Sequence, residues 1–500
     1  MPYVSHPLIK PDSIEEREYQ KSVVEAAVKR NVLCVFPTGL GKTPVAVILA
    51  AHRLEAYPES RILVMAPTKP LANQNYEVFK KFMNLDEELF QVITGNTPPG
   101  KRKELYETKK LVFATPQTIH NDIKAGMISL KDYSLLITDE AHHSTGGYSY
   151  PFVAKKYLEE AEHPRVLALT ASPGATREKI DEIYKTLGLD AVEIKTETDE
   201  DVKPYVQEKH IEWVTVDLPE SFLQIRKLIE GVYFEKLKNI KRMGFTKPVS
   251  LINRSDLLKL QAGLQMQIMK GNRAAFGFVS TVAQSIKLEH ALTLLETQGI
   301  GILENYWKKL REDKSKGSQA IVNDRNISNA MWLTHGLYES GSTHPKLGKL
   351  LSIVTKELND NPNSRIIVFA NYRESVKGIA AALEKIPNAR PFEFIGQKSG
   401  LTQKEQISRL EKFKSGEYNV LVGTSISEEG LDIASANIAI FYEPVPSPLR
   451  AIQRRGRVGR ADVGSVIILM AKNTRDQAYH WSAISKEKRM KATLHEMRKE

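Results

Sequence analysis

The stretch Phe36-Pro37-Thr38-Gly39-Leu40-Gly41-Lys42-Thr43 decides the fold, because it joins a predicted strand, Val32–Phe36, to a helix that begins near Val45. Glycines at such a junction let backbone N–H groups turn towards phosphate groups. Lys42 would then reach the β- and γ-phosphates of a nucleotide, and Thr43 would ligate Mg²⁺. The strict form of a phosphate-binding loop has glycine in place of Phe36, so a plain turn rich in glycine and proline is the alternative. The position of Gly-Lys-Thr between strand and helix favours the phosphate-binding loop.

Short apolar runs alternate with longer helical patterns on both sides of this loop. None of the runs alternates apolar with polar residues, which indicates strands of parallel sheets that are covered on both faces. The runs before residue 196 are Val32–Phe36, Arg61–Ala66, Leu111–Thr115, Leu135–Asp139 and Val166–Thr170. The runs after residue 346 are Arg365–Ala370, Asn419–Gly423, Ile438–Tyr442 and Ser465–Met470. Two α/β domains with parallel sheets are the simplest account.

A second motif, Leu135-Leu136-Ile137-Thr138-Asp139-Glu140-Ala141-His142, places two carboxylates at the end of an apolar strand. This is the Walker B arrangement, in which Asp139 would hold Mg²⁺ directly or through water. Glu140 would polarise an attacking water as general base. Taken alone, the pair is as consistent with a solvated turn. A phosphate-binding loop on an earlier strand makes the catalytic interpretation the stronger one.

A third motif, Gln453-Arg454-Arg455-Gly456-Arg457-Val458-Gly459-Arg460, concentrates four arginines in eight residues. It suits a nucleic-acid patch, which is one interpretation. In the other, Arg457 and Arg460 lie three residues apart on one helical face and point at the γ-phosphate as arginine fingers. Because Lys42 and Glu140 belong to the first α/β domain, hydrolysis would then require the two domains to close on ATP.

The middle of the chain carries helical spacing instead of strand signals. Ser221 and Ser255 are predicted N-caps of two helices, Gly271 is a predicted stop, and a third helix is predicted to end at Gly299. The chain therefore divides into a first domain (residues 1–200), a linker with a helical insertion (201–335, the insertion itself at about 221–330) and a second domain (336–500). The predicted fold class is α/β, with an all-helical insertion between two parallel-sheet domains.

The net charge of +11 is unevenly distributed. It is zero over residues 1–195, +2 over 196–345 and +9 over 346–500. Within the insertion, residues 221–288 carry twelve basic side chains against three acidic ones. A solvated bundle usually mixes the two signs, so phosphate contact by the insertion is the favoured interpretation, with Lys238, Lys241 and Arg242 as candidate contacts.

Composition excludes several protein classes. The single cysteine, Cys34, rules out an intramolecular disulfide framework and a cysteine-rich zinc site. The apolar runs are far shorter than the roughly 18 residues needed to cross a bilayer, and the first residues lack the apolar core of a signal peptide. We therefore expect an intracellular, cytoplasmic protein without membrane association.

These motifs, in this order, resemble those of superfamily 2 helicases, and the resemblance covers both α/β domains. It implies RecA-like domains that bind ATP and Mg²⁺, with Asp139-Glu140-Ala141-His142 as the DEAH box. The nucleotide-binding residues that it implies are Gln20, which would read adenine, with Pro37, Thr38, Gly39, Leu40, Gly41, Lys42, Thr43, Gly430 and Asp432. The nucleic-acid contacts that it implies are Thr68, Thr115, Asn371 and Thr424. The resemblance also implies four residues that couple the nucleotide state of the ATP site to contact with the nucleic-acid strand: His142, Thr170, Ser172 and Gln453.

A finer resemblance is to the archaeal Hef proteins and the Fanconi-anaemia M translocase. It rests on Asp139-Glu140-Ala141-His142-His143, Gly396-Gln397, Thr402-Gln403-Lys404-Glu405-Gln406 and the helical insertion. The innate-immune sensors of double-stranded RNA share that insertion and much of the motif spelling. Hef proteins usually continue into a nuclease with a Glu-Arg-Lys signature, which this sequence lacks, so the chain is expected to be the helicase half of a longer protein.

The sequence thus predicts an ATP hydrolase that translocates on DNA and remodels branched structures such as stalled replication forks. Two alternatives stay open: an ATPase stimulated by double-stranded RNA, and a module that clamps junctions for a nuclease. No motif recognises a 2′-hydroxyl group, so the sequence does not distinguish DNA from RNA.

Overall fold

The computed structural model describes residues 2–37, 39–145, 149–174, 176–197, 199–205, 210–242, 244–272, 275–395, 403–424, 436–444 and 465–497. It confirms the predicted fold class of two parallel-sheet domains with a helical insertion between them.

The first domain is built on a seven-stranded parallel sheet with the order β3-β4-β2-β5-β6-β1-β7. Its strands are β1 (Val32–Val35), β2 (Arg61–Met65), β3 (Phe90–Ile93), β4 (Leu111–Ala114), β5 (Tyr133–Thr138), β6 (Val166–Thr170) and β7 (Ala191–Ile194). The connecting helices are α1 (Glu18–Lys29), α2 (Lys42–Ala56), α3 (Lys69–Phe82), α4 (Pro99–Thr108), α5 (Pro116–Lys124), α6 (Tyr150–Glu160) and α7 (Arg177–Leu187).

Helices cover both faces of this sheet, which explains why its central strands carry no polar alternation. Val32 and Cys34 of β1 face a core that includes side chains of α1, α2 and α3. Leu33 and Val35 face the opposite core, formed with α4, α5, α6 and α7. Successive side chains of a strand point to opposite faces, so every position of such a strand must be apolar.

The second domain has a six-stranded parallel sheet with the order β10-β11-β9-β12-β13-β8. Its strands are β8 (His210–Val216), β9 (Ile366–Phe369), β10 (Pro391–Phe394), β11 (Val420–Gly423), β12 (Ile438–Phe441) and β13 (Ser465–Ala471). Its helices are α14 (Pro345–Asp360), α15 (Arg373–Leu383), α16 (Gln403–Lys414) and α17 (Arg475–Met497).

Strand β8 changes the domain boundary that the sequence pattern suggested. Residues 201–220 were predicted to be part of a linker, yet β8 pairs with β13 over its whole length, from His210 beside Ser465 to Val216 beside Ala471. The second domain that we propose therefore includes residues 210–216 and is interrupted by the insertion.

The insertion consists of α8 (Glu220–Arg242), α9 (Arg254–Met269), α10 (Ala275–Thr297), α11 (Ile300–Glu312), α12 (Lys316–Val322) and α13 (Arg325–Glu339). These helices share one apolar core around the fully buried side chain of Trp307. Gly271 and Gly299 have positive φ angles after α9 and α10, as expected for helix stops.

Both predicted serine caps of the insertion are wrong. Helix α8 begins at Glu220, so Ser221 lies inside its first turn, where Pro219 accepts the first backbone hydrogen bonds. Helix α9 is capped by Asn253, whose side chain accepts the Asp256 N–H while Asp256 accepts the Asn253 N–H. This reciprocal pair satisfies two backbone donors and outcompetes Ser255 as the cap.

Among the helices in the described ranges, none combines the length and the apolar character that crossing a membrane requires.

Candidate functional site

The phosphate-binding loop and the two carboxylates lie at one edge of the first sheet. Lys42 follows β1, Asp139 follows β5 and Thr170 ends β6, and these strands are neighbours in the order β5-β6-β1. In a parallel sheet the carboxyl ends of the strands share one edge, which is where such folds bind ligands. The topology therefore brings these three predicted residues together.

Glycine geometry shapes the loop before α2. Gly39 and Gly41 have φ angles of +93° and +76°, a region that disfavours side chains. Gly41 is the residue before the helix, and Lys42 begins the helix. The Lys42 ammonium donates to the Phe36 carbonyl at 3.3 Å, across the space above the loop. The start of α2, with its free N–H groups, suits a bound phosphate.

Gln20 rests directly on this loop. Its Nε2 atom donates to the Leu40 carbonyl at 3.3 Å and to the Gly41 carbonyl at 3.2 Å. The side chain is 2% exposed and reaches the loop from α1. Pro37 and Leu40 complete the described part of the loop, and Thr38 lies outside the described residues.

The half-buried Asp139 carboxylate lies at the end of β5. Asn75, on α3, donates to Asp139 Oδ2 at 3.1 Å, and the Glu140 N–H donates to Asp139 Oδ1 at 2.9 Å. Burial, followed by the charge of Glu140, raises the pKa of Asp139 to about 6. A partly desolvated carboxylate with a raised pKa gains from a bound cation, and a hydroxyl such as that of Thr43 can serve as a second oxygen donor. These residues therefore fit Mg²⁺.

Glu140 occupies an uncommon backbone conformation. Its φ of +50° and ψ of +51° lie in the left-handed region, which costs free energy for a residue with a side chain. Asp139 N–H pairs with the Met65 carbonyl and the Tyr150 hydroxyl donates to the Asp139 carbonyl, so hydrogen bonds hold the residue just before this turn. A fixed turn of this kind aims the Glu140 carboxylate, as a general base requires.

Three predicted coupling residues form a chain of contacts that starts at Glu140. His142 Nδ1 lies 3.3 Å from Glu140 Oε2 and 3.4 Å from Thr170 Oγ1. The Ser172 N–H donates to the same Thr170 hydroxyl at 3.2 Å. The DEAH box and the motif that follows β6 are therefore in direct contact.

The four predicted nucleic-acid contacts also follow strands, but not the strands that carry the phosphate-binding loop. Thr68 follows β2 and Thr115 follows β4, which are neighbours on the other half of the first sheet. Asn371 follows β9 and Thr424 follows β11, which are neighbours in the second sheet. Thr68 caps α3, whereas Thr115 is 8% exposed and its hydroxyl pairs with that of Thr118 at 2.9 Å.

The insertion's basic side chains divide into two groups. Four pair with carboxylates: Arg226 with Glu230, Lys247 with Asp256, Arg254 with Glu289, and Lys287 with Asp313. Seven have no ion pair within the described parts of the chain: Lys227, Lys236, Lys238, Lys241, Arg242, Lys259 and Lys270. The twelfth, Arg273, lies outside the described residues. The candidates Lys238, Lys241 and Arg242 are exposed near the end of α8.

Several predicted residues of the second domain are not described. Gly430, Asp432, Gln453, Arg457 and Arg460 all lie outside the described residues, so their roles stay predictions. Sequence reasoning missed Asn75 and Tyr150, which hold Asp139 from α3 and α6. Neither belongs to a motif near the DEAH box, and no local signal pointed to them.

Comparison with family models yields three matches in chain order. Residues 17–180 match the DEAD/DEAH box helicase family, and residues 346–462 match the helicase conserved C-terminal domain. Residues 221–339 match the family described as "Putative ATP-dependent RNA helicase, helical bundle". The three matches correspond to the two sheet domains and the bundle between them.

Individual relatives cover nearly the whole chain. The solved Hef helicase domain of Pyrococcus furiosus is 42% identical, with a TM-score of 0.74, over 95% of this chain and 100% of that one. The Methanocaldococcus jannaschii protein described as "Putative ATP-dependent RNA helicase MJ1505" is 42% identical over 99% of this chain. The ATP-dependent DNA helicase fml1 of Schizosaccharomyces pombe is 33% identical over 93% of this chain. The chain spans 63% and 58% of the length of the last two proteins.

Proposed function

Because the chain belongs to the Hef and FANCM family of superfamily 2 helicases, which hydrolyse ATP, we propose that it is a DNA translocase that remodels branched or forked DNA during repair of stalled replication forks. The observation that carries this proposal is the separation of two groups of residues along one sheet edge. Residues suited to ATP follow β1, β5 and β6, and residues suited to a phosphate backbone follow β2 and β4. A motor needs both sites at once, within reach of each other.

In the proposed ATP site each side chain has one task. Gln20 reads the adenine base, Lys42 binds the β- and γ-phosphates, and Glu140 accepts the proton of the attacking water. Thr43 and Asp139 hold Mg²⁺, which supplies charge neutralisation at the phosphates when bound. Arg457 and Arg460 approach the γ-phosphate from the second domain, so hydrolysis depends on domain closure.

Backbone contact is the proposed mode of DNA binding. Thr68, Thr115, Asn371 and Thr424 are short polar residues that suit phosphate oxygens, and phosphate contacts accept any sequence. For Thr115 the proposal requires its hydroxyl to leave Thr118, or its backbone N–H to make the contact, because the hydroxyl is already paired. The proposed substrate also implies a location inside the cell, with DNA.

The insertion is the proposed place where branched DNA is distinguished. Seven of its cations, on α8 and at α9, have no ion pair among the described residues, which leaves these two helices with a surplus of positive charge. Near the turn between α9 and α10, the apolar side chains Met266, Met269 and Phe276 are 61%, 87% and 60% exposed. Exposed apolar side chains beside cations suit unstacked bases at a junction, since cations bind the phosphates and apolar groups contact the bases.

The relatives' descriptions name both nucleic acids, since the M. jannaschii protein is described as an RNA helicase and the S. pombe protein as a DNA helicase. The discriminating experiment measures ATP hydrolysis with single-stranded DNA, duplex DNA, forked DNA and duplex RNA. We expect forked DNA to stimulate most, and Lys42→Ala and Glu140→Gln to abolish the stimulated rate. Stimulation by duplex RNA alone would replace the proposal with the RNA-dependent alternative. Tight junction binding without stimulation would favour a clamp that serves a nuclease.

A further inference from the structure

Helix α17 is anchored at its first residues to the insertion and to the second domain. Arg475 Nη1 lies 2.9 Å from Glu296 Oε1, and Arg475 Nε lies 3.6 Å from Glu289 Oε1; both glutamates belong to α10. The next residue, Asp476, pairs with Lys346 of α14 at 2.9 Å, and both side chains are fully buried. Buried ion pairs of this kind are costly to break, because separation leaves uncompensated charge in the interior. This end of α17 is therefore fixed both to the bundle and to the second domain.

The other end of the same helix lies in the core of the first domain. Met490 and Leu494 are 4% and 5% exposed and belong to the apolar cluster that includes Val153 of α6 and Ile180 of α7. The Ser172 hydroxyl donates to Met490 Sδ at 2.9 Å. One helix thus connects the bundle to the motif that follows β6.

Contacts continue from Ser172 to the ATP site without a gap. Ser172 N–H donates to Thr170 Oγ1, Thr170 Oγ1 contacts His142 Nδ1, and that nitrogen lies 3.3 Å from Glu140 Oε2. From Arg475 to Met490 the helix rises about 22 Å at 1.5 Å per residue. The path from α10 to Glu140 is therefore one helix followed by four contacts, one of which is made by a backbone N–H.

The two ends of the helix differ in how firmly they are held. Five charged groups, four of them at least 92% buried, hold the Arg475 end. The apolar side chains of Met490 and Leu494, the partly buried Met497 beside them, and a hydrogen bond to a thioether, which is a weak acceptor, hold the Met490 end. When the domains move, the Met490 end is the one that shifts against its neighbours.

We propose that α17 transmits the position of the insertion to the ATP site, with Met490 as a positioning residue for Ser172. When the insertion engages nucleic acid, α17 moves with α10, and Met490 changes the packing around Ser172 and thereby the alignment of His142 with Glu140. The inference rests on the proposed stimulation of ATP hydrolysis by DNA. The link through α17 and Met490 lies outside all the sequence motifs described above.

The first test is the Met490→Ala/Leu494→Ala double variant of the full chain. We expect the DNA-stimulated kcat to fall at least fivefold, while the unstimulated rate and the KM for DNA stay within twofold of wild type. A Ser485→Ala/Glu496→Ala control changes two exposed residues of the same helix and should keep the wild-type stimulation. A double variant with an unchanged stimulation ratio would overturn the inference. Absence of stimulation in the wild type would instead refute the proposed function.

A second test uses the wild-type chain, so that a folding defect cannot obscure the result. Amide hydrogen exchange of residues 484–497 is compared in the free protein, with a non-hydrolysable ATP analogue, and with the analogue plus forked DNA. We expect exchange in this segment to change when forked DNA is added to the analogue complex, because the insertion then moves α17, while residues 475–479 keep their protection. Identical exchange of residues 484–497 in the analogue complex with and without forked DNA would contradict the transmission.

Discussion

The amide of Gln20 lies so close to Gly41 that a Cβ atom at Gly41 would be 2.4 Å from Gln20 Nε2. Its φ of +76° favours glycine here, and any side chain at this position would also displace the Gln20 amide from the loop. Gln20 donates to the Leu40 and Gly41 carbonyl groups of the loop, and these hydrogen bonds hold the loop from the side on which we place adenine.

Replacing this amide should alter nucleotide selection. In Gln20→Glu the side chain keeps its size but loses the donor, and its carboxylate would face the carbonyl oxygens of Leu40 and Gly41. We expect the KM for ATP to rise about tenfold or more, which corresponds to the loss of about 1.4 kcal/mol of binding, and the preference for ATP over GTP to shrink. Steady-state kinetics with both nucleotides measure this. An unchanged preference for ATP over GTP would show that Gln20 does not recognise the adenine base.

Removing the general base should affect catalysis and spare binding. Glu140→Gln preserves the shape of the side chain, so we expect kcat to fall by roughly 10² to 10⁴ with the KM for ATP within a few-fold of wild type. Glu25→Gln is the matched control, because Glu25 is an exposed carboxylate of α1. Single-turnover hydrolysis measures the chemical step. A fall of less than threefold would show that another group accepts the proton.

Neutralising the exposed cations of α8 should change the salt dependence of DNA binding. For Lys238→Gln/Lys241→Gln/Arg242→Gln we expect weaker binding of forked DNA and a slope of log K against log salt that is smaller by about 2 to 3, since each phosphate contact contributes about 0.9. The matched control changes three exposed lysines of the second domain, Lys349, Lys356 and Lys385, to glutamine. Fluorescence anisotropy at four salt concentrations suffices. Equal slopes for the variant and the wild type would show that these three side chains of α8 do not contact DNA phosphates.

A buried histidine should make stability depend on pH. His344 caps α14 by accepting the Lys346 N–H, and its Nε2 lies 2.9 Å from the Glu296 carbonyl. Burial, followed by the charge of Lys346, lowers its pKa to about 3. Below about pH 6.5 the unfolded chain gains a proton at this residue that the folded chain does not, so stability falls with falling pH by up to about 1.4 kcal/mol per pH unit until the folded pKa is reached.

The measurement compares unfolding free energies at pH 7.5 and pH 5.0. His344→Asn keeps the cap and removes the titrating ring, so we expect its stability to be lower at pH 7.5 but to fall less on acidification, by about 2 kcal/mol. His495→Asn, an exposed histidine of α17, should keep the wild-type dependence. Equal pH dependence of wild type and His344→Asn would show that His344 takes up its proton in the folded state as well.

The strands show how far the sequence predicts this fold. Every central strand of both sheets was predicted, and the four missed strands, β3, β7, β8 and β10, are the four edge strands. Central strands are buried on both faces and read as continuous apolar runs. An edge strand has one unpaired edge, and it tolerates polar residues such as Gln91 in β3 and Glu212 in β8. These residues interrupt the continuous apolar run from which a strand is predicted.

The site follows the same rule at the level of single residues. Lys42, Thr43, Asp139 and Glu140 could be predicted because each stands in a local pattern beside a strand. Asn75 could not, because its role arises from how α3 packs on the sheet, which brings it to Asp139, 64 residues away in sequence. Contacts made by packing, such as that of Ser172 with Met490, leave no local pattern.

The most direct test of the central claim is remodelling of a labelled replication-fork substrate by the purified chain. We predict that the wild type converts the fork with ATP, that a non-hydrolysable analogue does not support conversion, and that Glu140→Gln binds the fork without converting it. A wild-type chain that hydrolyses ATP on forked DNA yet leaves its structure unchanged would contradict the account.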